Sequence, residues 1–320
     1  MTAVLKNQHP PKSAAPSETV KKILKNYESD SGATKENLNR ILMQGRLGGT
    51  GQMIILPVDQ GFEHGPARSF AMNSVCYDPH YFYQLGIESD LNAYAAPLGA
   101  LECGVETFAG KIPLILKMNH GNSLLSNKTN PDQAVLCSVK DAVRLGCTAV
   151  GFTLYNGSES YNAQLEELRD IIAEAKSHGL PTVVWCYPRG GVLPKEAETA
   201  IDVVAYAAHM ACQAGAHMIK VKLPSDVVWL EAAKKAYTEQ KIPVGTLADR
   251  VKHIAQACFN GRRLVVFSGG EAKDTASILD EMRAIKSGGG NGSIMGRNAF
   301  QRPKAEAMKL FDDMIAILKG

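Results

Sequence analysis

The chain has 320 residues, of which 45% are hydrophobic and 21% charged, so it can bury a large core. Its formal net charge of +3 is too small to favour a nucleic-acid partner, and no apolar run approaches the roughly 20 residues that span a membrane. Residues 1–34 are rich in Lys, Ser, Pro and Asn and lack the apolar segment of a secretory signal. We expect a mobile or peripheral arm here, with a short helix between Glu18 and Tyr27.

After this arm, short β-rich runs alternate with helical patterns. The runs are Met53–Val58, Asn92–Ala96, Leu114–Lys117, Ala149–Leu154, Thr182–Cys186, Met218–Lys222, Leu264–Phe267 and Gly292–Met295. Pro57 would interrupt a central strand, so it marks the end of the first run. The later helices are predicted at 162–177, 199–214, 227–239, 275–286 and 303–318, with an extra one at 247–259.

The regular alternation of strand and helix predicts a parallel β/α architecture. Eight strands and a length of about 270 residues from the first strand onward favour a single (β/α)8 TIM barrel over a doubly wound sheet. The sequence contains no glycine-rich dinucleotide motif and no P-loop, which argues against the common nucleotide-binding folds. We therefore divide the chain into an N-terminal arm, 1–34, and a barrel, 35–320.

The cysteines and histidines of the chain do not form a metal-binding pattern. The cysteines are Cys76, Cys103, Cys137, Cys147, Cys186, Cys212 and Cys258, and the histidines include His64, His120, His209, His217 and His253. An odd number of scattered cysteines is typical of reduced thiols, so we expect a cytoplasmic protein. Without a Cys-x-x-Cys pair or ligand spacing among the histidines, we expect no metal and no other cofactor.

The sixth predicted strand carries two lysines on one face. Because side chains alternate along a strand, Lys220 and Lys222 share a face while Ile219 and Val221 share the other. Burial or a second cation lowers the pKa of a lysine, and the resulting free amine can attack a carbonyl to form a Schiff base. Taken alone, this strand fits a half-exposed strand with two solvated lysines as well as it fits a Schiff-base lysine. The other motifs of the chain are needed to choose between these two interpretations.

Polar and aromatic side chains end several other strands. They are Asp59 after the first strand, Lys117 on the third, Trp185 and Tyr187 on one face of the fifth, and Arg189 beyond it. Active-site groups of (β/α)8 barrels gather at the C-terminal ends of the strands. A single polar residue there is usually a cap or a loop contact. An acid, a tyrosine and a lysine on one rim indicate an active site.

Glycine-rich turns follow the last two strands. Ser268, Gly269 and Gly270 follow the seventh strand, and Gly296 and Arg297 follow the eighth. Glycines let backbone N–H groups approach a ligand, and phosphate sites of barrel enzymes often lie after these two strands. Open amides beside a guanidinium suit a phosphate monoester, so we predict a phosphate site in preference to two plain turns.

These motifs, in this order, resemble those of the archaeal-type class I fructose-bisphosphate aldolases. The resemblance is carried by the segments Leu56–Gly61, Trp185–Gly191, Ile219–Lys222, Ser268–Gly270 and Met295–Asn298. It implies that Lys220 forms the Schiff base, that Tyr187 is the general acid/base, and that Asp59 is the carboxylate of the first strand. By the same resemblance, the chain is expected to form a homo-oligomer, a large ring.

The resemblance also implies which residues hold the substrate and which reaction the protein catalyses. Trp185 would line the site, and Lys117 and Arg189 would help to hold substrate. We expect Lys222 to lower the pKa of its neighbouring lysine, and a nearby ammonium to lower the pKa of the Tyr187 phenol. The implied reaction is the reversible, metal-independent cleavage of fructose 1,6-bisphosphate to dihydroxyacetone phosphate and glyceraldehyde 3-phosphate, in glycolysis or gluconeogenesis.

Other functions remain open at this point. The same lysine could act on another phosphorylated ketose or diketone, as in a transaldolase-like synthase or the autoinducer-2 phosphate thiolase of the same superfamily. A metal-dependent aldolase would require clustered ligands. A non-catalytic phosphosugar sensor would bind without turnover, which fits poorly with an acid, a tyrosine and a lysine on one rim.

Overall fold

A computed structural model describes residues 13–124, 130–269 and 273–320. Its centre is a closed barrel of eight parallel strands, in which each strand pairs with its neighbours in the sequence and the last pairs with the first. We label them β1 (Met53–Pro57), β2 (Ala93–Ala96), β3 (Leu114–Lys117), β4 (Ala149–Leu154), β5 (Thr182–Cys186), β6 (Met218–Lys222), β7 (Leu264–Ser268) and β8 (Gly292–Ile294). A separate antiparallel ribbon pairs Asn119–His120 with Ala134–Val135. The prediction of a (β/α)8 barrel is confirmed.

Helices surround the barrel and link its strands. The α-helices are Glu18–Leu24, Gly32–Met43, Gln60–His64, Pro66–Phe70, Pro79–Glu88, Leu98–Glu102, Val139–Arg144, Tyr161–Ser177, Ile201–Gln213, Glu231–Glu239, Leu247–Ala257, Thr275–Ser287, Arg297–Phe300 and Lys304–Lys319, with 3₁₀ turns at Ser74–Tyr77 and Lys195–Thr199. The extra helix predicted between β6 and β7 is present as Leu247–Ala257. Within the described ranges, no helix is long and apolar enough to cross a membrane.

One predicted helix begins later than the sequence pattern indicates. We expected a helix over 227–239, but the helix is Glu231–Glu239. The carboxylate of Asp202 accepts hydrogen bonds from the backbone N–H groups of Trp229 (2.9 Å) and Leu230 (2.8 Å). The carbonyl of Val227, which a longer helix would use, also accepts a hydrogen bond from the N–H of Ile201 at 2.9 Å. These backbone groups are bonded outside the helix, so the chain before Glu231 stays non-helical.

The barrel has an outer and an inner apolar core. The outer core lies between the strands and the helices. The inner core consists of strand side chains that point into the barrel, among them Met53, Ile55, Ile115, Val183, Met218 and Val266. It continues into Val20, Tyr27, Leu38, Ile41 and Leu42, which lie in or beside the first two helices. These two helices therefore close the N-terminal end of the barrel.

Residues of the N-terminal arm are fixed to this closed end. Val20 and Tyr27 are 0% and 1% exposed. The Tyr27 hydroxyl donates to the carbonyl of His217 (2.7 Å) and accepts from the N–H of Leu264 (3.2 Å), so it joins β6 to β7. Residues 13–34 therefore pack against the barrel, and the predicted short helix is present as Glu18–Leu24. The boundary at residue 34 stays a prediction, and it falls inside the helix Gly32–Met43.

Candidate active site

The C-terminal ends of the strands surround a cavity of about 730 Å³, a size typical of small-molecule sites. Its walls come mainly from β1, β5, β6, β7, β8 and the loops that follow them. The polar side chains and glycines on these walls are Asp59, Gln60, Glu63, His64, Arg68, Tyr187, Arg189, Lys195, Glu198, Thr199, Lys220, Lys222, Ser268, Gly269, Lys273, Gly296, Arg297 and Asn298. Most of the residues that the sequence analysis selected therefore lie together.

Lys220 and Tyr187 meet at the floor of this cavity. The register of β5 and β6 pairs Trp185 with Lys220, which places Tyr187 one step further along the same face. Lys220 Nζ donates a hydrogen bond to the Tyr187 hydroxyl and lies 4.6 Å from the centroid of its ring. The Lys220 residue is only 5% exposed, so this contact is made largely out of water.

The environment of Lys220 favours its free amine. Burial lowers the pKa of Lys220 to about 7, and the cations of Arg189 and Lys117 add to the lowering. The carboxyl groups of Asp59 and Glu63 act in the opposite direction. A substantial fraction of the amine is then unprotonated near neutral pH, as attack on a carbonyl requires.

The pKa of Tyr187 differs from the sequence-based expectation. Burial raises the pKa of its phenol well above the ordinary value, and the negative charge of Asp59 raises it further. Arg189 opposes this shift, with its guanidinium carbon 4.8 Å from the ring centroid. The expected lowering by a nearby ammonium is therefore wrong for the free protein, in which Tyr187 is a neutral phenol.

Lys222 is paired with a carboxylate that the sequence analysis did not identify. Its Nζ donates to Glu198 Oε2 at 2.9 Å, and Arg189 Nε donates to the same oxygen at 3.3 Å. The groups that lower the pKa of Lys220 are its burial, Arg189 and Lys117. The role expected for Lys222 in that shift is thus filled by these groups, and the Lys222 ammonium is paired with Glu198.

Trp185 lies on the cavity wall because a neighbouring strand has no side chain there. A Cβ atom added to Gly151 on β4 would lie 2.5 Å from Cζ3 of the Trp185 ring. The ring also faces two ammonium groups, with Lys220 Nζ at 5.9 Å and Lys117 Nζ at 5.8 Å from its centroid. Gly151 therefore makes the space in which Trp185 shapes the site.

Lys117 is not among the residues that line the cavity, and it is 1% exposed. Its ammonium donates to the carbonyl oxygen of Asn119, to Asn119 Oδ1 (3.1 Å) and to Gln133 Oε1 (3.2 Å). Three acceptors match the three donors of an ammonium group. The expectation that Lys117 holds substrate stays a prediction, and in the free protein its donors are already used.

The predicted phosphate site is built from backbone with little room for side chains. A Cβ atom on Gly296 would lie 2.8 Å from the carbonyl oxygen of Pro57, and one on Gly269 would lie 3.0 Å from Asn298 Nδ2. Ser268 and Arg297 line the same end of the cavity. Gly270, the remaining predicted member, lies outside the described residues.

A family of known enzymes matches this chain over all eight strands of the barrel. The family described as DeoC/LacD family aldolase matches residues 53–302. The chain belongs to this family of aldolases. The match spans every strand from β1 to β8 and ends just beyond Arg297, so it includes all the loops that form the cavity.

Individual relatives of the aldolase agree with this assignment. The probable fructose-bisphosphate aldolase class 1 of Chlamydia trachomatis is 35% identical over 89% of this chain and 84% of its own length. The fructose-bisphosphate aldolase class 1 of Thermoproteus tenax is 35% identical over 80% of this chain and 86% of its own. A solved archaeal fructose-1,6-bisphosphate aldolase, with its catalytic lysine covalently bound to a carbinolamine intermediate, aligns with a TM-score of 0.73 at 30% identity, covering 89% and 99% of the two chains. The resemblance seen in the sequence is confirmed.

Several side chains of the aldolase site were missed by sequence reasoning. Glu63, His64 and Arg68 follow β1, Glu198 follows β5 and Lys273 follows β7. Glu63 and His64 lie two and three residues after Gly61, the last residue of Asp59-Gln60-Gly61, and this proximity was the available signal. In the described part of the chain, no group of three or more His, Cys, Asp and Glu side chains is placed to hold a metal ion.

Proposed function

We propose that this aldolase reversibly cleaves fructose 1,6-bisphosphate to dihydroxyacetone phosphate and glyceraldehyde 3-phosphate through a Schiff base on Lys220. The observation that carries the proposal is the contact between Lys220 Nζ and the Tyr187 hydroxyl inside the cavity. A largely buried amine with a pKa near 7 beside a phenol provides a nucleophile and a proton carrier in one place.

The first stage joins the substrate to the enzyme. The lone pair of neutral Lys220 attacks the C2 carbonyl of the open-chain sugar. The nitrogen then loses a proton and the former carbonyl oxygen gains one, which gives a neutral carbinolamine. Protonation of that hydroxyl and loss of water then form an iminium ion. Asp59 lines the same cavity, and in this proposal it orients substrate hydroxyls and assists these proton transfers.

Cleavage then uses the iminium as an electron sink. The C3–C4 bond breaks, its electron pair forms an enamine, and the C4 hydroxyl loses a proton as it becomes the aldehyde. Tyr187 is a neutral phenol in the free protein, so it requires a new positive charge beside it to act as the base. The iminium supplies that charge where Lys220 Nζ already contacts the phenol. Tyr187 then returns the proton to C3 of the enamine, and hydrolysis releases the second product.

Phosphate binding fixes the ketone beside the amine. In this proposal one phosphate contacts the amides of Gly269 and Gly296, the Ser268 hydroxyl and the Arg297 guanidinium. Further cations on the cavity walls, Arg68, Lys195, Lys222 and Lys273, suit a substrate with a second phosphate. A substrate held at its ends reacts at its centre as if at high local concentration. Ring assembly and cytoplasmic location stay predictions.

Borohydride trapping with fructose 1,6-bisphosphate tests the covalent step. The wild-type protein is expected to lose activity on reduction and to carry the added mass on the peptide that contains Lys220. The variant Lys220→Ala should lose cleavage and trapping together. Equal trapping by this variant would refute the assignment of Lys220.

Two further assays distinguish the alternatives. Cleavage in the presence of EDTA is expected to match cleavage without it, whereas loss of activity that a divalent metal restores would indicate a metal-dependent aldolase. Trapping by another phosphorylated ketose or a diketone phosphate at a much higher rate than by fructose 1,6-bisphosphate would favour a different enzyme of the superfamily. Binding of fructose 1,6-bisphosphate without turnover would indicate a sensor.

A further inference from the structure

A buried network extends below the cavity from Glu63, a residue to which the proposed mechanism assigns no role. Glu63 lies on the short helix after β1 and lines the cavity. Its Oε1 accepts a hydrogen bond from Gln133 Nε2 at 3.2 Å. Gln133 belongs to the segment that enters the two-residue ribbon, and it is 4% exposed. A carboxyl of the site is thus held by an amide from a different loop.

Gln133 is fixed in one orientation by its other partners. Its Oε1 accepts from Lys117 Nζ at 3.2 Å, and its Nε2 also donates to the Tyr155 hydroxyl at 2.8 Å. An amide oxygen facing an ammonium cannot exchange places with the NH₂ group without placing like donors together. Lys117 is in turn held by two oxygens of Asn119. The network therefore aims one N–H of Gln133 at Glu63.

We propose that Glu63 sets the charge state of the Lys220 amine, and that Gln133 and Lys117 position Glu63 for this task. The inference rests on the proposed function, in which Lys220 must be a neutral amine before it attacks. Glu63 is a positioning residue here, because it acts on the reaction through Lys220. In this proposal Lys117 has a role that requires no contact with the substrate.

The electrostatics of the cavity floor support this coupling. Burial and then Asp59 raise the pKa of Glu63 to about 7, where Lys220 also titrates. Two groups with similar pKa values in one site lose their protons in coupled steps. Loss of the Glu63 proton leaves a carboxylate that favours the Lys220 ammonium, so a proton retained on Glu63 favours the free amine. The charged or titratable groups that act on Glu63 are Asp59, Lys117, Arg189 and Lys220, with Tyr155 linked through Gln133.

The sign of the effect follows from the charges. In Glu63→Gln the side chain keeps its shape but never becomes negative. The Lys220 ammonium then loses one source of stabilisation, and the amine becomes neutral at a lower pH. In Gln133→Met the Glu63 carboxylate loses a hydrogen-bond donor and is formed less readily. The amine is expected to shift in the same direction, by a smaller amount.

The experiment measures trapping of full-length protein by dihydroxyacetone phosphate and cyanoborohydride as a function of pH. The modified Lys220 peptide is quantified for wild type, Glu63→Gln and Gln133→Met, with Glu106→Gln as the matched control. Glu106 is exposed and lies away from the cavity. We expect the pH of half-maximal trapping rate to fall by on the order of one unit in Glu63→Gln and less in Gln133→Met. The control should match wild type.

Each outcome either supports the inference or overturns it. A uniformly slower rate in Glu63→Gln with an unchanged midpoint would mean that Glu63 only packs, and a midpoint shifted upward would reverse its proposed sign. If Glu63→Gln does not fold, the midpoint of Gln133→Met decides in the same way. A wild-type protein that traps nothing on Lys220 would refute the proposed function itself, which is a separate failure.

Discussion

Strand β6 has a buried histidine next to its N-terminal end and a buried lysine nearer its C-terminal end, and their surroundings differ. At the N-terminal end, His217 is 1% exposed and its Nδ1 accepts from the N–H of Thr182 at 2.9 Å. Its Nε2 lies 3.2 Å from Asp30 Oδ1, and Lys176 Nζ lies 3.5 Å from the same oxygen. Towards the C-terminal end, Lys220 is also buried, at 5% exposed, but it contacts a phenol that borders an open cavity.

The polar groups at one end contribute to stability, whereas the buried amine at the other end is reactive. His217 has one partner in the barrel, Thr182, and one in the N-terminal arm, Asp30. These polar contacts therefore attach the arm to the barrel. Around Lys220, burial is only partly compensated, and the result is a reactive amine. Barrels generally place chemistry at the C-terminal face and stability at the other. Substitutions at the two ends should therefore affect different measurements.

The largest effect is expected at the catalytic end, from Tyr187→Phe. The ring and its packing remain while the proton carrier is lost, so we expect kcat for fructose 1,6-bisphosphate to fall about 10²- to 10⁴-fold. Steady-state kinetics measures this loss. Trapping on Lys220 should persist, because the amine remains buried. Tyr206→Phe is the control, since Tyr206 is 56% exposed on the helix after β5 and should keep wild-type activity. Retention of kcat by Tyr187→Phe would remove Tyr187 from the mechanism.

The opposite result is expected at the closed end, from His217→Ala. The N–H of Thr182 and the carboxylate of Asp30 each lose a partner, and a cavity forms. We therefore expect the free energy of unfolding to fall by about 2–4 kcal/mol while kcat per folded molecule changes little. Urea denaturation measures the loss. His178→Ala, an exposed change at the end of a helix, should be neutral. A large fall in kcat at full stability would contradict the division between the two ends.

The same variant has a pH signature. Burial lowers the pKa of His217 in the folded protein, despite the opposing effect of Asp30. The unfolded chain then binds more protons than the folded one as the pH falls below the ordinary histidine pKa of about 6.5, so wild type loses stability there. His217→Ala should lose less between about pH 7 and pH 5, as urea titrations at both values would measure.

A moderate effect is expected between the two ends, from Gly151→Ala on β4. The added Cβ would lie 2.5 Å from the Trp185 ring, so the ring must move. We expect a loss of about 1–3 kcal/mol in the free energy of unfolding, together with weaker activity because Trp185 borders Lys220. Gly99→Ala is the control, since no atom lies within 4 Å of its added Cβ. Wild-type stability and activity in Gly151→Ala would contradict this prediction, because they would show that the Trp185 ring can move without cost.

The sequence predicts the bounds of the strands well, but it does not predict which groups contact the side chains at the strand ends. Four predicted strands, at 114–117, 149–154, 182–186 and 218–222, have the observed bounds, because each is a short apolar run with clear borders. Barrel geometry then places Lys220, Tyr187 and Asp59 on one rim. The pKa of Tyr187 could not be predicted, because it depends on burial by distant strands. Gln133 and Glu198 come from loops whose position no periodic pattern reveals.

The smallest effect is expected from Glu198→Gln, and it tests whether the ion pairs of the rim compete with substrate. Glu198 binds Lys222 and Arg189 through one oxygen, and all three side chains are partly exposed, so the pairs contribute little stability. Removal of the carboxylate charge frees two cations for a phosphorylated substrate. We expect KM for fructose 1,6-bisphosphate to fall by roughly two- to five-fold at low salt, with kcat nearly unchanged, and the difference to shrink as salt rises.

The control for this change is Glu196→Gln, an exposed residue two positions earlier on the same 3₁₀ turn. A higher KM and a lower kcat in Glu198→Gln would give the opposite interpretation. Glu198 would then hold the Arg189 guanidinium over the Tyr187 ring, and its charge would belong to the catalytic end as a support of the phenol. The direction of the KM change thus decides whether the rim carboxylate opposes substrate binding or orders the groups beneath it.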